Sequence, residues 1–333
     1  MAYGNDKQRG HAEKDAVSCI DMSGSGHSTM LPTRNGVGPS CIALPPGPWP
    51  TIIDFLAERF DTIPRDEIEA RMVRGDVLDA VGGFVPPHQP FKAHRKLFYY
   101  RDIADEKHIP FEETVLFEDE HIVVADKPHF LPVTPGGRYL QETLLVRLKR
   151  RLGVDTLAPM HRIDRETAGI VLFTKQPFAR GAYQSLFSQR EVVKRYEAVA
   201  PFRVDLALPR NYVSRIVRTE HFMRMCEAAG TANAETRVEL IEVDGALARY
   251  RLLPVTGKRH QLRVQMAALG MPILNDRIYP EHVSKQAIEE DDFSAPLQLI
   301  ARSIAFKDPL TGQERYFESA RRLVPFDKSS VPI

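Results

Sequence analysis

The sequence predicts an α+β protein: a main domain built on a mixed, largely antiparallel sheet with flanking helices, preceded by a small N-terminal α+β module. Three observations carry this. Short apolar runs bounded by polar turns read as strands, segments with apolar residues at helical spacing end on recognisable caps, and the two kinds mix without the regular βαβ alternation of a doubly wound fold. With 333 residues, 43% of them hydrophobic and 27% charged, the chain can bury a sizeable core, which excludes collagen-like, mucin-like and wholly disordered classes. No apolar run reaches the roughly 20 residues needed to cross a bilayer, and the N-terminal stretch lacks a charged-then-apolar secretion pattern, so the expectation is a cytoplasmic protein without a membrane partner. Cys19, Cys41 and Cys226 are far apart and show neither CxxC nor Cys/His spacing, so no disulfide framework and no metal site are expected.

Residues 1–47 hold Gly, Ser, Pro and single charges without apolar periodicity and read as a poorly ordered leader. From Thr51, a possible N-cap, Ile52, Ile53, Phe55, Leu56 and Phe60 recur at helical spacing. A second helix follows Pro64, with Ile68, Met72 and Val73 on one face and Arg65, Arg71 and Arg74 on another, and Gly75 stops it. Short apolar pieces around Val77, Val81 and Val85 and the run Leu97-Phe98-Tyr99-Tyr100 complete a module over 48–108. Two helices followed by small strands resemble a degraded S4-type RNA-binding module; an amphipathic cap on the main domain is the other reading.

The main domain is expected over 112–320, with 321–333 as a tail. Val115-Leu116-Phe117 and Ile122-Val123-Val124-Ala125 form a hairpin across a polar turn. Leu140 to Leu152 reads as an amphipathic helix with Lys149, Arg150 and Arg151 in its last turn and Gly153 as its stop. Ile170 to Thr174 is a strand, Pro177 opens a helix through Leu186, and Val192–Ala200 and Ala246–Leu253 are further strands. A last helix is expected from Thr256 to Gly270.

Charge is spread unevenly. The net +1 of the whole chain hides a stretch, residues 127–224, with 18 Lys+Arg against 8 Asp+Glu. Such a run is either a solvated face or the footprint of a polyanion. The densest constellation lies inside it: His161-Arg162-Ile163-Asp164-Arg165-Glu166-Thr167-Ala168-Gly169, directly before an apolar strand. A carboxylate between two arginines is held ionised, which suits a nucleophile or base better than an acid. From the residues alone, a salt-bridged turn and a glycosidase-like pair of Asp164 with Glu166 stay open.

That run resembles the signature loop of the RluA family of pseudouridine synthases, His-Arg-Leu-Asp followed by two residues, Thr, Ser and Gly. Three further segments resemble family motifs in order and spacing: Phe117 to Pro128 with Leu131-Pro132-Val133-Thr134-Pro135-Gly136, then Lys194-Arg195-Tyr196-Glu197-Ala198, then Leu253 to Ile273 around His260-Gln261-Leu262-Arg263. Ile163, Ala168 and Gln265 depart from the usual Leu, Ser and His, and none removes an ionisable group the mechanism needs.

The resemblance implies a pseudouridine synthase fold and an isomerase that breaks the N1 to C1′ bond of a uridine in RNA, turns the uracil and rejoins it through C5, with no cofactor and no metal. It implies Asp164 as the essential carboxylate, Tyr196 against the flipped base, Arg263 as the partner of Asp164, and Arg162 as the group that holds RNA around the extruded nucleotide. Tyr196 is also a candidate late base. His161, Arg165 and Leu262 join as substrate-side residues, although hydrogen bonding within the loop suits His161 and His260 best. Lys127, Lys149, Arg150, Arg151, Lys258 and Arg259 are candidates for phosphate contacts. The expected partner is RNA, with 23S ribosomal RNA favoured over transfer RNA by the S4-like module, and the expected state is a monomer.

Overall fold

In the computed structural model, which describes residues 31–103, 106–219, 224–280 and 292–324, the chain divides into two units between residues 104 and 105. The first unit follows the helical periods. Its elements are β1 (Ser40–Ala43), α1 (Ile52–Arg59), α2 (Arg65–Val73), β2 (Val77–Leu78) and β3 (Lys96–Tyr99), the strands forming an antiparallel sheet in the order β1-β3-β2. Thr51 closes a capping box: its hydroxyl accepts from Asp54 N, and the Asp54 carboxylate accepts from Thr51 N at 3.1 Å. Ile52, Ile53, Phe55, Leu56, Ile68 and Met72 form the core under this small sheet. The leader expected through residue 47 is therefore too long, because β1 and the buried Leu44 belong to this unit. Residues 1–30 lie outside the described ones.

The second unit is dominated by a ten-stranded sheet. Its strands are β4 (Thr114–Glu118), β5 (Ile122–Lys127), β6 (Ala158–Pro159), β7 (Ala168–Thr174), β8 (Val193–Pro201), β9 (Arg210–Ser214), β12 (Ala234–Asp244), β13 (Leu247–Pro254), β14 (Leu299–Lys307) and β15 (Glu314–Glu318), while β10 (Ile216–Arg218) and β11 (Met225–Glu227) pair separately. The main path runs β4-β5-β7-β14-β8-β13-β12-β9, with β6 on β7 and β15 on β14. Every pair is antiparallel except β7 with β14, so the sheet is mixed and largely antiparallel. Helices α3 (Leu144–Leu152), α4 (Arg180–Ser188) and α5 (Gln261–Ala268) cover it.

Strands β5 and β7 are buried on both faces, as continuous apolar runs require. Val123, Ala125, Val171 and Phe173 pack toward α3 with Leu144 and Leu148, while Ile122, Val124, Ile170 and Leu172 pack toward α4 with Tyr183 and Leu186. Each fully buried large side chain contributes about 2 kcal/mol, so this double-sided centre is the rigid floor from which the signature loop projects.

Several boundaries differ from expectation for identifiable reasons. Helix α3 begins at Leu144, because the Glu106 carboxylate accepts from the backbone N–H groups of Leu140, Gln141 and Glu142 and holds them in a turn. Glu106 and the fully buried Ile109 thus belong to the main unit, which starts before residue 112. At the other end, Arg321 donates to the carbonyls of Glu112 and Asp126 and Leu323 is buried, so the expected tail is docked at least that far.

Candidate active site

One transverse row of the sheet organises the site. Gly169 in β7 pairs with Ala301 in β14, Ala301 with Tyr196 in β8, and Tyr196 with Leu252 in β13. At Gly169 the backbone has φ +111°, and a Cβ would lie 2.2 Å from the Ala301 carbonyl oxygen. Only glycine permits that approach, which explains the residue that closes the motif. Two residues upstream, Thr167 N donates to the Asp164 carbonyl at 3.1 Å, closing the turn that presents Asp164. Ala168, where the family usually has Ser, packs at 0% exposure among Val199, Ile300 and Leu323.

Helix α5 supplies the opposite wall. It starts at Gln261 rather than Thr256, because residues 256–260 form a braced loop. The Gln261 side chain accepts from Thr256 Oγ1 (2.7 Å) and Lys258 N (3.0 Å), and donates to the Glu235 carbonyl and Thr236 Oγ1. His260 takes φ +54° to turn the chain into the helix. Gln265, in place of the usual His, accepts from Thr236 Oγ1 and donates to Ser214 Oγ, tying α5 to β12 and β9. This frame places Arg263 with its guanidinium inside the protein, 2% exposed.

Arg263 Nη1 donates to Asp164 Oδ2 at 3.2 Å. Its other two nitrogens form a fork on Asp276, Nε to Oδ2 at 2.8 Å and Nη2 to Oδ1 at 2.7 Å. Asp276 is itself fixed by the backbone N–H groups of Ile278 and Tyr279. One guanidinium therefore serves two carboxylates: Asp276, whose side chain is 1% exposed, and Asp164, at 27%. Burial disfavours the charge on Arg263, but the two carboxylates outweigh it and keep the group firmly cationic.

Burial would likewise raise the Asp164 carboxyl, yet neighbouring cations hold it below its ordinary value. His260 Nε2 lies 3.9 Å from Asp164 Oδ1, but burial pushes that imidazole down to about 4, so near neutral pH it carries no charge. Arg263 and, beyond it, Arg162 are the cations that count there. Tyr196 is shifted in the other direction, its phenol raised by burial and by the Asp164 anion. It stays protonated in the resting site, which disfavours the base role the sequence left open.

Asp164, Tyr196, Arg263, Arg162, Leu262 and Lys258 all line one cleft of about 120 Å³. Glu166 does not; its carboxylate pairs with Arg165, so the glycosidase-like dyad does not form. Lys127 is corrected from phosphate contact to buried brace: its ammonium donates to the carbonyls of Pro128, Leu131 and Arg165 at 2.7–3.0 Å and is 0% exposed. Arg165 is spent similarly, on the Phe130 carbonyl, Glu166 and the Tyr139 hydroxyl. His161 is no substrate group either, since its Nε2 accepts from Leu172 N and its ring stacks on Phe187 with centroids 4.8 Å apart. Lys149, Arg150, Arg151 and Arg259 do not line the cleft.

Sequence reasoning missed Asp276 and Lys194. Nothing in the local pattern marked Asp276. Lys194 carried a signal, the two-residue spacing that puts it on the same strand face as Tyr196, and it lines the cleft.

An anionic aspartate on a turn, an arginine on the facing helix and a tyrosine on a central strand of a mixed sheet define a site of the pseudouridine synthase class. The chain matches the family model described as RNA pseudouridylate synthase over residues 121–268. It is 31% identical over 213 residues to the dual-specificity RNA pseudouridine synthase RluA of Salmonella typhimurium, covering 61% of this chain and 91% of that protein. It is 28% identical over 239 residues to an uncharacterized RNA pseudouridine synthase of Synechocystis sp., 68% of this chain and 79% of the other. With the mitochondrial tRNA pseudouridine(32) synthase of Saccharomyces cerevisiae it shares 35% identity over 170 residues, 50% of this chain and 36% of that one. The solved structure of human RNA pseudouridylate synthase domain containing 1 shares the fold, with a TM-score of 0.51 at 20% identity over 63% of this chain and 84% of that one. The chain belongs to the RluA-type family of RNA pseudouridine synthases, which are isomerases.

Proposed function

We propose that this chain converts a uridine of 23S ribosomal RNA to pseudouridine, with Asp164 acting on the nucleoside. The observation that carries the chemistry is the ionised Asp164 carboxylate, partly exposed to the cleft and held by a buried guanidinium. The reaction breaks the N1 to C1′ bond and forms a C5 to C1′ bond; the C5 proton leaves and N1 gains one. Whether Asp164 adds to sugar or base, or takes a ribose proton, each route starts from its anion beside the everted nucleoside. Everting a base costs a few kcal/mol unless it sits in a loop, and in this reading Arg162, which is exposed and lines the cleft, fills the space it leaves. Tyr196 supplies an aromatic face for the uracil.

The ribosomal substrate is supported by the separate N-terminal unit, whose two helices and short strands fit an S4-like RNA-binding module. Transfer RNA is the second reading, favoured by the yeast relative named for transfer-RNA position 32. Tritium release from 5-tritiated uridine transcripts of each RNA, with pseudouridine mapping in total RNA of a deletion strain, decides between them. A ribosomal site lost in the strain and restored by the purified protein is the expected result; loss confined to transfer RNA rejects the ribosomal reading.

A further inference from the structure

Lys194 and Tyr196 project from the same face of β8, so the strand's twofold repeat sends the lysine into the cleft alongside the tyrosine. Neither the fold nor the isomerisation just described gives it a task. Its ammonium has three donors, yet the acceptor it reaches is the Thr256 carbonyl, at a marginal 3.5 Å. Among the described residues no carboxylate pairs with it. Burial and the nearby Arg190 both push the ammonium down. The contrast with Lys127 is direct, since that ammonium is satisfied by three carbonyls within 3.0 Å. A partly desolvated cation with one weak protein acceptor is suited to an anion from outside, and the anion an RNA substrate carries is its phosphodiester. Exposed Arg162 and Lys258 on the same cleft add to the positive field there.

We propose that Lys194 binds a backbone phosphodiester of the RNA beside the everted uridine, its ammonium donating to a non-bridging oxygen and fixing the strand's register in the cleft. This rests on the cleft being an RNA site. Lysine serves such contacts as a compact point charge rather than a fork.

The test measures binding of a labelled oligouridylate of about twelve nucleotides to full-length protein across a salt series, comparing wild type, Lys194→Gln and Lys194→Arg. One lost phosphate contact on a single strand makes the slope of log affinity against log salt shallower by about 0.7. Lys194→Gln shows that change and Lys194→Arg does not. On 5-tritiated RNA the Gln variant raises KM by more than it lowers kcat. An unchanged slope overturns the proposal, as does a fall in kcat at constant KM, which marks a group acting on the base. A Gln variant that fails to fold overturns it too, because the ammonium then holds the protein rather than RNA. A Lys194-dependent slope in a protein that releases no tritium from any RNA keeps the phosphate contact and rejects the isomerase reading instead.

Discussion

The cleft surface and the brace behind it use the same residue types to opposite ends. Behind the cleft, Lys127, Arg165, Gln261 and the Arg263–Asp276 fork have their donors matched by carbonyls, carboxylates and hydroxyls. On the cleft, Asp164 keeps one oxygen without a bond from Arg263, Lys194 has a single weak acceptor among the described residues, and Arg162 is exposed. Saturated groups fix geometry; unsaturated ones wait for a ligand. The comparison also explains how an aspartate can be anionic yet available: Asp276 takes two of the three guanidinium contacts, leaving Asp164 a single one.

The comparison breaks or sharpens by mutation. Asp164→Asn is expected to lower tritium release by at least about 1,000-fold while leaving the unfolding midpoint within a few degrees, because the cleft group contributes chemistry rather than stability. A large loss of stability instead would place Asp164 in the brace. Gly169→Ala should cost about 4 kcal/mol in chemical denaturation, combining a positive φ with a Cβ driven into the Ala301 carbonyl. Lys127→Met should cost about 2 kcal/mol by leaving buried carbonyls unpaired, with activity falling in step with stability; a fully stable variant that loses RNA affinity would return Lys127 to the substrate side.

The smallest effect is a pH dependence. Burial lowers His161 to about 3 and His129 to about 4, below their unfolded value near 6.5. The unfolded chain therefore binds more protons, so this contribution is complete above about pH 6.5 and is lost as pH falls toward the folded values. Each histidine should cost about 1 kcal/mol between about pH 7 and 5.5, and His161→Phe should flatten the profile measured by urea unfolding.

The sequence made the signature turn, the hairpin of β4 and β5, α4 and the cluster of Asp164, Tyr196 and Arg263 legible, because these rest on residue type and local period. It misjudged Lys127 because its partners are main-chain carbonyls, which every residue possesses and no side-chain pattern reveals. The start of α3 depends on Glu106, distant along the chain, and Asp276 acquires meaning only through Arg263. Strand β14 went unassigned since Arg302 and Ser303 interrupt its apolar run beside a bulge opposite β8. Strands β9 and β12 were likewise passed over, although β12 alternates buried and exposed residues in its first half.

Strand β14 lies between β7 and β8, and its Ala301 joins Gly169 to Tyr196. During synthesis the turn bearing Asp164 therefore leaves the ribosome more than a hundred residues before the strand that locks it in place. Nascent chains cut short of that strand carry all four motifs but lack the link that joins the Asp164 turn to Tyr196, so the cleft is completed only late in synthesis.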